Sequence, residues 1–245
     1  YPNTGVSAVD IDRLSALEGV IDVIYNPDRT SLVLAAQKRG LRAAGGLWML
    51  VMQACLANGK FFGADVDFAR AGEIYAALRA ERLNLVLVGM PGSGKTTLGK
   101  ALAKKMRRPF VDCDAEIERV AGMSIPEIFR TRGEEAFRAL ESEVIERYGK
   151  ESGQVIATGG GAPLRARNVT ALRQNGMTLL VCRPLELLAT DGRPLSAGGM
   201  ETVRRLEAER APAYSACADA RVDNSDTVAR AVDEALSAFR AFAAT

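Results

Sequence analysis

Leu83-Asn-Leu-Val-Leu-Val-Gly-Met-Pro-Gly-Ser-Gly-Lys-Thr96 joins a short apolar run to a glycine-rich turn. An apolar run of this length, closed by glycine, reads as a central parallel strand. The turn fits GxxxxGK[ST] from Gly89 to Thr96, and Leu98, Ala101, Leu102 and Met106 then recur at helical spacing. Strand, loop and helix in that order make a phosphate cradle. Gly89, Gly92 and Gly94 let the backbone close round an anion without Cβ clashes, and the loop amides and helix N-terminus point at it. Lys95 supplies a mobile positive charge for β- and γ-phosphates. Thr96 offers a hydroxyl to Mg²⁺, an ion that keeps most of its water and takes few protein ligands. Gly92, Ser93, Gly94, Lys95, Thr96 and Thr97 are therefore the candidate nucleotide-binding residues. GTPases, ATPases and kinases share this motif, so it leaves the acceptor open.

Working outward, further apolar strands are expected at Phe110-Val111, Val155-Ile-Ala157, Thr178-Leu-Leu-Val-Cys182 and Ala220-Arg-Val222. Ser124 and Glu127 have capping-box spacing at the head of a helix. A longer helix is expected over about 134–148, and a closing one over 227–242. Strands alternating with helices mean an α/β fold with a parallel sheet flanked by helices. Thr190 to Met200 is rich in glycine and small residues and reads as flexible. Upstream of residue 83 the pattern is different. Gly19–Tyr25 reads as a strand, Asn26-Pro-Asp28 as a turn, Thr30 as the cap of a helix ending near Gly40, and helices are expected over about 47–57 and 67–80. One strand and three helices make a poor independent core. Residues 1–82 thus look like the end of a domain, and 83–245 like a whole one.

Composition removes several function classes. The 245 residues carry a formal charge of +2, too balanced to argue for nucleic acid or a membrane surface. No apolar run approaches the roughly 18 residues that cross a bilayer. Cys55, Cys113, Cys182 and Cys217 are scattered, which argues against zinc or a disulfide framework and fits a reducing cytoplasm. Histidine is absent, so acid–base chemistry falls to carboxylates, Lys, Tyr or substrate groups. The chain begins at Tyr1 with no signal peptide, and reads as starting inside a longer polypeptide.

Acceptor candidates follow the second strand. Asp112 and Asp114, two apart, are expected to point the same way from the carboxyl edge of the sheet, where ligands bind in open α/β folds. One suits Mg²⁺ through water and the other a sugar-like hydroxyl; a polar helix cap is the plain alternative. Arg138 and Glu141, three apart on one helix, can pair so that the Arg fork faces an anion, or can be a surface ion pair. Gly159, Gly160 and Gly161 end a strand and permit close approach of a ligand to the backbone.

The set GxPGSGKTT, FxDxDxxIE, GxxIxxIF, GExxFRxxE, TGGGA, GRPL and ERAPxY resembles shikimate kinase over residues 83–245. The resemblance implies a P-loop kinase with a parallel five-stranded sheet, a substrate-binding segment and a mobile lid. It implies ATP-dependent phosphorylation of the 3-hydroxyl of shikimate, on the route to aromatic amino acids, by a monomeric domain using ATP and Mg²⁺. Residue by residue it implies that Asp114 binds shikimate hydroxyls and takes the attacking proton, that Arg138 and Arg210 hold the carboxylate, and that Gly159, Gly160 and Gly161 line the pocket. Asp112 would hold Mg²⁺ through water beside Thr96, and Arg193 would reach the transferring phosphoryl group. A kinase for another polyol acid, such as gluconate, and a nucleotide-binding module without turnover are the competing readings. The stretch from Arg183 to Gly192 is several residues shorter than the resemblance leads one to expect and lacks the usual basic residue before Arg193. Arg183 is the cation available there, early in the stretch and followed by Pro184. Weaker ATP affinity than usual is expected.

Residues 1–82 resemble the C-terminal end of shikimate dehydrogenase, a partial Rossmann-type segment, through Asp22-Val-Ile-Tyr25-Asn-Pro-Asp-Arg-Thr30 and Gly46-Leu-Trp-Met-Leu-Val-Met-Gln53-Ala54. The resemblance implies a contact of Gln53 with shikimate and places Tyr25 near it. The family's catalytic Lys and Asp and its NADP loop have no counterpart in this sequence, so no dehydrogenase activity is expected.

Overall fold

A computed structural model describes residues 7, 9–188 and 199–245. Arg193 and most of the glycine-rich tract lie outside the described residues, as do Tyr1 to Asn3. Five parallel strands build the main sheet: β3 (Asn84–Val88), β4 (Phe110–Asp112), β5 (Val155–Ala157), β6 (Gly176–Cys182) and β7 (Ala220–Asp223), in the order β4-β5-β3-β6-β7. The chain leaves β3 towards one edge and later returns to β3's other side with β6. The strand order therefore reverses beside β3, where open α/β sheets bind ligands.

β3 is buried at every residue, as its unbroken apolar run requires. The two-residue period of a strand divides its side chains. Leu85 and Leu87 pack with Leu98 and Leu102 of α4 (Lys95–Met106) and Leu236 and Phe239 of α9 (Val228–Ala244). Val86 and Val88 pack on the other face with Ile117 of α5 (Cys113–Ala121) and Ile128, Phe137 and Ile145 of α6 (Ile125–Gly149). α6 bends at Gly133, whose φ of 82° and ψ of 171° leave the helical region, so its two halves match the two expected helices. The capping box does not form. The Ser124 side chain makes no cap bond, and Oε1 of Glu118 instead accepts from the Ile125 amide at 2.9 Å. A carboxylate from the preceding helix has taken the first orphan amide.

The N-terminal residues form β1 (Gly19–Ile21), α1 (Ser31–Lys38), β2 (Arg42–Ala44), α2 (Leu47–Phe62) and α3 (Phe68–Arg82), with β1 and β2 paired in parallel. Thr30 caps α1 as expected, accepting from Val33. The first strand is shorter than the apolar run Gly19–Tyr25, because Asp22 turns inward to accept from the Thr30 hydroxyl at 2.6 Å and from the Ile24 amide. As expected of a poor core, many large apolar side chains stay exposed, with Ile21 at 84% and Phe61 at 86%. The section is nonetheless fastened to the main sheet. α3 packs along α9. Arg79 reaches Asp28 and the Phe242 carbonyl, and Arg29 reaches Asp219 and the carbonyls of Arg173 and Gly176. Those anchors sit at the amino ends of β6 and β7, opposite the end of β3 from which the glycine-rich loop emerges. Elements with no expectation in the sequence include β2, α7 (Ala166–Gln174) and α8 (Gly199–Cys217).

Candidate active site

The glycine-rich loop leaves β3 at Gly89 and enters α4 at Lys95. Gly94 has φ of +90°, and a Cβ there would lie 2.4 Å from Nδ2 of Asn224, which donates to the Ser93 carbonyl at 2.7 Å. Only glycine fits both constraints. Lys95 is buried and folds back, Nζ donating to the Gly89 and Met90 carbonyls at 2.9 Å each. It thus lies along the concave side of the loop. Thr96 in the first turn of α4 donates to Oδ2 of Asp112 at 2.8 Å. One hydroxyl beside one carboxylate is the sparse donor set that suits Mg²⁺, which fills its remaining positions with water and phosphate oxygens.

Asp112 and Asp114 were expected to share a direction; both line the cavity at the carboxyl edge of the sheet, but inside it they turn to different partners. β4 ends at Asp112 and α5 starts at Cys113, so the strand's two-residue alternation stops between them. Asp112 caps α5 through Oδ1, which accepts from the Asp114 amide at 3.1 Å, and gives Oδ2 to Thr96. Asp114, in the first turn of α5, sends Oδ1 towards Gly159, where a Cβ would lie 2.8 Å away. One carboxylate therefore faces Thr96 beside the glycine-rich loop, and the other faces the triple glycine. Cys113 between them is fully buried, and burial pushes its thiol well up, with both aspartates acting the same way.

The second half of α6 supplies the acceptor side. Arg138 is 8% exposed and donates to Glu141 at 2.9 Å and Glu134 at 3.2 Å. Its guanidinium lies 5.1 Å from the Phe137 ring centroid. The ion pair is buried, against the surface alternative, with Glu141 only 1% exposed. Burial pushes the Glu141 carboxyl up against the pull of Arg138, and Asp114 adds to the rise. Its Oε1 has no hydrogen-bond partner and would lie 2.9 Å from a Cβ at Gly159. A buried, unsatisfied carboxylate oxygen facing a cavity is a ready acceptor for a ligand hydroxyl. A Cβ on Gly161 would come within 2.4 Å of Arg138, so this glycine keeps space for the fork.

Arg210 on α8 is 4% exposed and closes the same cavity beside Tyr214, one turn on. The Tyr214 hydroxyl donates to the Gly160 carbonyl at 2.6 Å, tying α8 to the triple glycine. The cavity has a volume of about 460 Å³ and is lined at one end by Gly92, Gly94, Lys95, Thr96 and Thr97, at the other by Asp114, Arg138, Glu141, Gly159, Gly160, Gly161 and Arg210. Asp112 and Arg183 also line it. Ser93 is fully buried behind the loop, its carbonyl held by Asn224. Of the expected site residues, only Arg193 falls outside the described residues.

Sequence reasoning gave no role to Tyr214 or Asn224. Tyr214 was legible as the residue one helical turn after Arg210. Asn224 was legible as the first residue after the last strand, at the ligand-binding edge of the sheet. Neither Gln53 nor Tyr25 lines this cavity: Gln53 is exposed on α2, and the Tyr25 ring lies 5.8 Å from the Arg82 guanidinium.

A family model described as shikimate kinase matches residues 91–240. Among curated relatives, the shikimate kinase of Symbiobacterium thermophilum is 42% identical over 149 residues, 57% of this chain and 86% of the relative. That of Caldanaerobacter subterraneus is 40% identical over 164 residues, 64% of this chain and 95% of the relative. Among solved structures, the shikimate kinase of Acinetobacter baumannii in complex with shikimate aligns with a TM-score of 0.61 at 33% identity, covering 68% of this chain and 96% of that one. The enzyme of Aquifex aeolicus aligns at 0.60 and 32%, covering 66% and 98%. With a phosphate loop, a carboxylate and two buried arginines round one cavity and a family model spanning residues 91–240, this chain belongs to the shikimate kinase family.

Proposed function

We propose that the chain transfers the γ-phosphoryl group of ATP to the 3-hydroxyl of shikimate, giving shikimate 3-phosphate and ADP. The carrying observation is the single cavity that joins the phosphate loop to Asp114, Arg138 and Arg210. Two buried Arg forks suit one carboxylate, and half-buried Asp114 beside buried Glu141 suits vicinal hydroxyls. The forming bond joins the 3-oxygen to phosphorus, the bond to the β–γ bridging oxygen breaks, and ADP keeps that electron pair. The hydroxyl proton goes to Asp114. Lys95 and the loop amides neutralise the phosphates, and Thr96 with Asp112 holds Mg²⁺, which when bound offsets phosphate charge. Positioning and charge neutralisation dominate such transfers, so the lack of histidine is no obstacle. Arg193 is assigned to the phosphoryl group by resemblance alone.

In this reading residues 83–245 are the catalytic domain. Residues 1–82 are a dehydrogenase-derived end segment, part of a dehydrogenase–kinase fusion and inactive by itself; the motif resemblance and the unfinished apolar surface of that section support this.

ADP release coupled to a reporter, with shikimate, gluconate or no acceptor, tests the proposal. Release that depends on shikimate is expected. Equal release without acceptor, or with gluconate alone, would sink it. Gly161→Ala is a sharper probe of the carboxylate end. Gly161 has an ordinary negative φ of −96°, so the backbone accepts alanine, but the added methyl displaces Arg138. The KM for shikimate is expected to rise about tenfold or more, the size of losing one charged hydrogen-bond pair. The KM for ATP is expected to hold. A parallel rise in both constants would show that Arg138 does not read the acceptor.

A further inference from the structure

We infer that Arg183 is a nucleotide-phosphate ligand of this chain, set at the end of β6 rather than on the lid. The inference rests on the reading of the cavity as a nucleotide site. Arg183 follows β6 directly, where that strand borders the phosphate loop: a Cβ on Gly89 would lie 2.6 Å from the Val181 carbonyl. Pro184 comes next, with φ of −53° and ψ of 141°, and turns the chain away from the sheet. A residue before proline is held out of the helical region. Arg183 is thereby kept at the rim of the cavity, and it lines the same space as Gly92, Lys95 and Thr97. Its Nη1 lies 3.8 Å from the position of a Gly94 Cβ, beside the N-terminus of α4.

The unmet valence carries the argument. Nε of Arg183 is buried and has no hydrogen-bond partner, and among the described residues the guanidinium makes no ion pair. A buried donor left unpaired costs free energy, more so when it is charged. Three buried arginines of the chain are held in ion pairs: Arg29 with Asp219, Arg79 with Asp28, Arg138 with Glu141. Half-buried Arg183 has no such pair among the described residues, and it borders the loop built for anions, whereas Arg210 lies at the cavity's other end. A phosphate oxygen satisfies Nε–H and an Nη–H together, the bidentate geometry that guanidinium favours. This also supplies a cation where the sequence stretch before Arg193 lacks its expected one.

Calorimetric titration of the full chain with Mg²⁺-ADP, and separately with adenosine, tests the role in wild type, Arg183→Gln and Arg183→Lys. For Arg183→Gln the ADP Kd is expected to rise about tenfold or more, with adenosine and shikimate affinities within twofold. Arg183→Lys keeps the charge but has no Nε, and is expected to lose at least threefold for ADP. Lysine preserves the size and charge of the site, so this variant decides the matter if the glutamine variant does not fold. ADP affinity unchanged in Arg183→Lys, or an equal loss for adenosine in either variant, overturns the inference. A wild type that binds no ADP overturns the nucleotide-site reading as well. A wild type that binds ADP beside an Arg183→Gln that binds it equally overturns the role of Arg183 alone.

Discussion

Asp114→Asn is expected to lower kcat by about two to four orders of magnitude while the KM for ATP stays within about threefold. Asparagine matches aspartate in size and still bonds a hydroxyl, but it cannot take a proton. Asp114 is the first-turn carboxylate of α5 that faces Gly159, across from the phosphate loop in the same cavity. Asp112, its neighbour two residues away, is occupied by Thr96 and by the cap of α5. Glu141 is the other carboxylate at this end, with Oε1 beside the same glycine, but its second oxygen is bound to Arg138. Its carboxyl is pushed up by burial, and by Asp114 as well. Glu141→Gln therefore serves as the control. It removes a charge from the same corner and should weaken shikimate binding without the large fall in kcat. If Asp114→Asn keeps more than a tenth of wild-type kcat, or if Glu141→Gln loses as much, proton transfer does not run through Asp114.

The parts of the fold and the site that the sequence displayed share one property: a local pattern with a single physical use. A continuous apolar run before GxxxxGKT has one sensible structure, and β3, the loop and α4 occupy it. Arg138 and Glu141 at helical spacing meet as they must. What escaped depends on contacts between distant residues. The strand Arg42–Ala44 has no apolar run and exists only because β1 pairs with it. α8 is polar over much of its surface and carries Pro212, which hides the helix from a pattern search. The split between Asp112 and Asp114 turns on where β4 gives way to α5, a boundary that spacing alone does not mark. The failed capping box has the same origin. Ser124 has the right neighbour at Glu127, but Glu118 on the previous helix reaches the amide first. The burial of Arg29 was equally invisible, since its partner lies 190 residues away.

That partner supplies the largest stability effect. Asp219→Ala is expected to cost roughly 3–5 kcal/mol, the range for breaking a buried ion pair, and to lower Tm by about 10 °C or more. Asp219 accepts from Arg29 at 2.9 and 3.0 Å, from Arg173 at 2.9 Å, and from the amide and hydroxyl of Thr178 at 2.9 Å each. Alanine would leave the Arg29 guanidinium, 4% exposed, without its counter-charge. Arg29 and Arg79 also both approach the Phe242 ring, each 5.0 Å from its centroid, so the loss reaches the joint between the N-terminal section and α9. Arg29→Ala is expected to cost less, because Arg173 and Thr178 still satisfy Asp219. The charge state gives an independent check. Burial pushes the Asp219 carboxyl up, but the hydrogen bonds and charge of Arg29, the Thr178 amide and Arg173 outweigh it and bring it to about 2. A carboxyl depressed on folding stabilises fully above its unfolded value near 4, and this stabilisation is lost as pH falls from there through about 2. Linkage puts that contribution at roughly 2 kcal/mol. Between pH 4 and pH 2 the wild type should therefore lose more stability than Asp219→Ala does. All these contacts lie at the amino ends of the strands, away from the cavity at their carboxyl ends, so kcat of the folded variant at 25 °C should stay near wild type. Equal acid sensitivity of the two proteins in thermal or urea unfolding would show that Asp219 is not the group that fastens the two sections together.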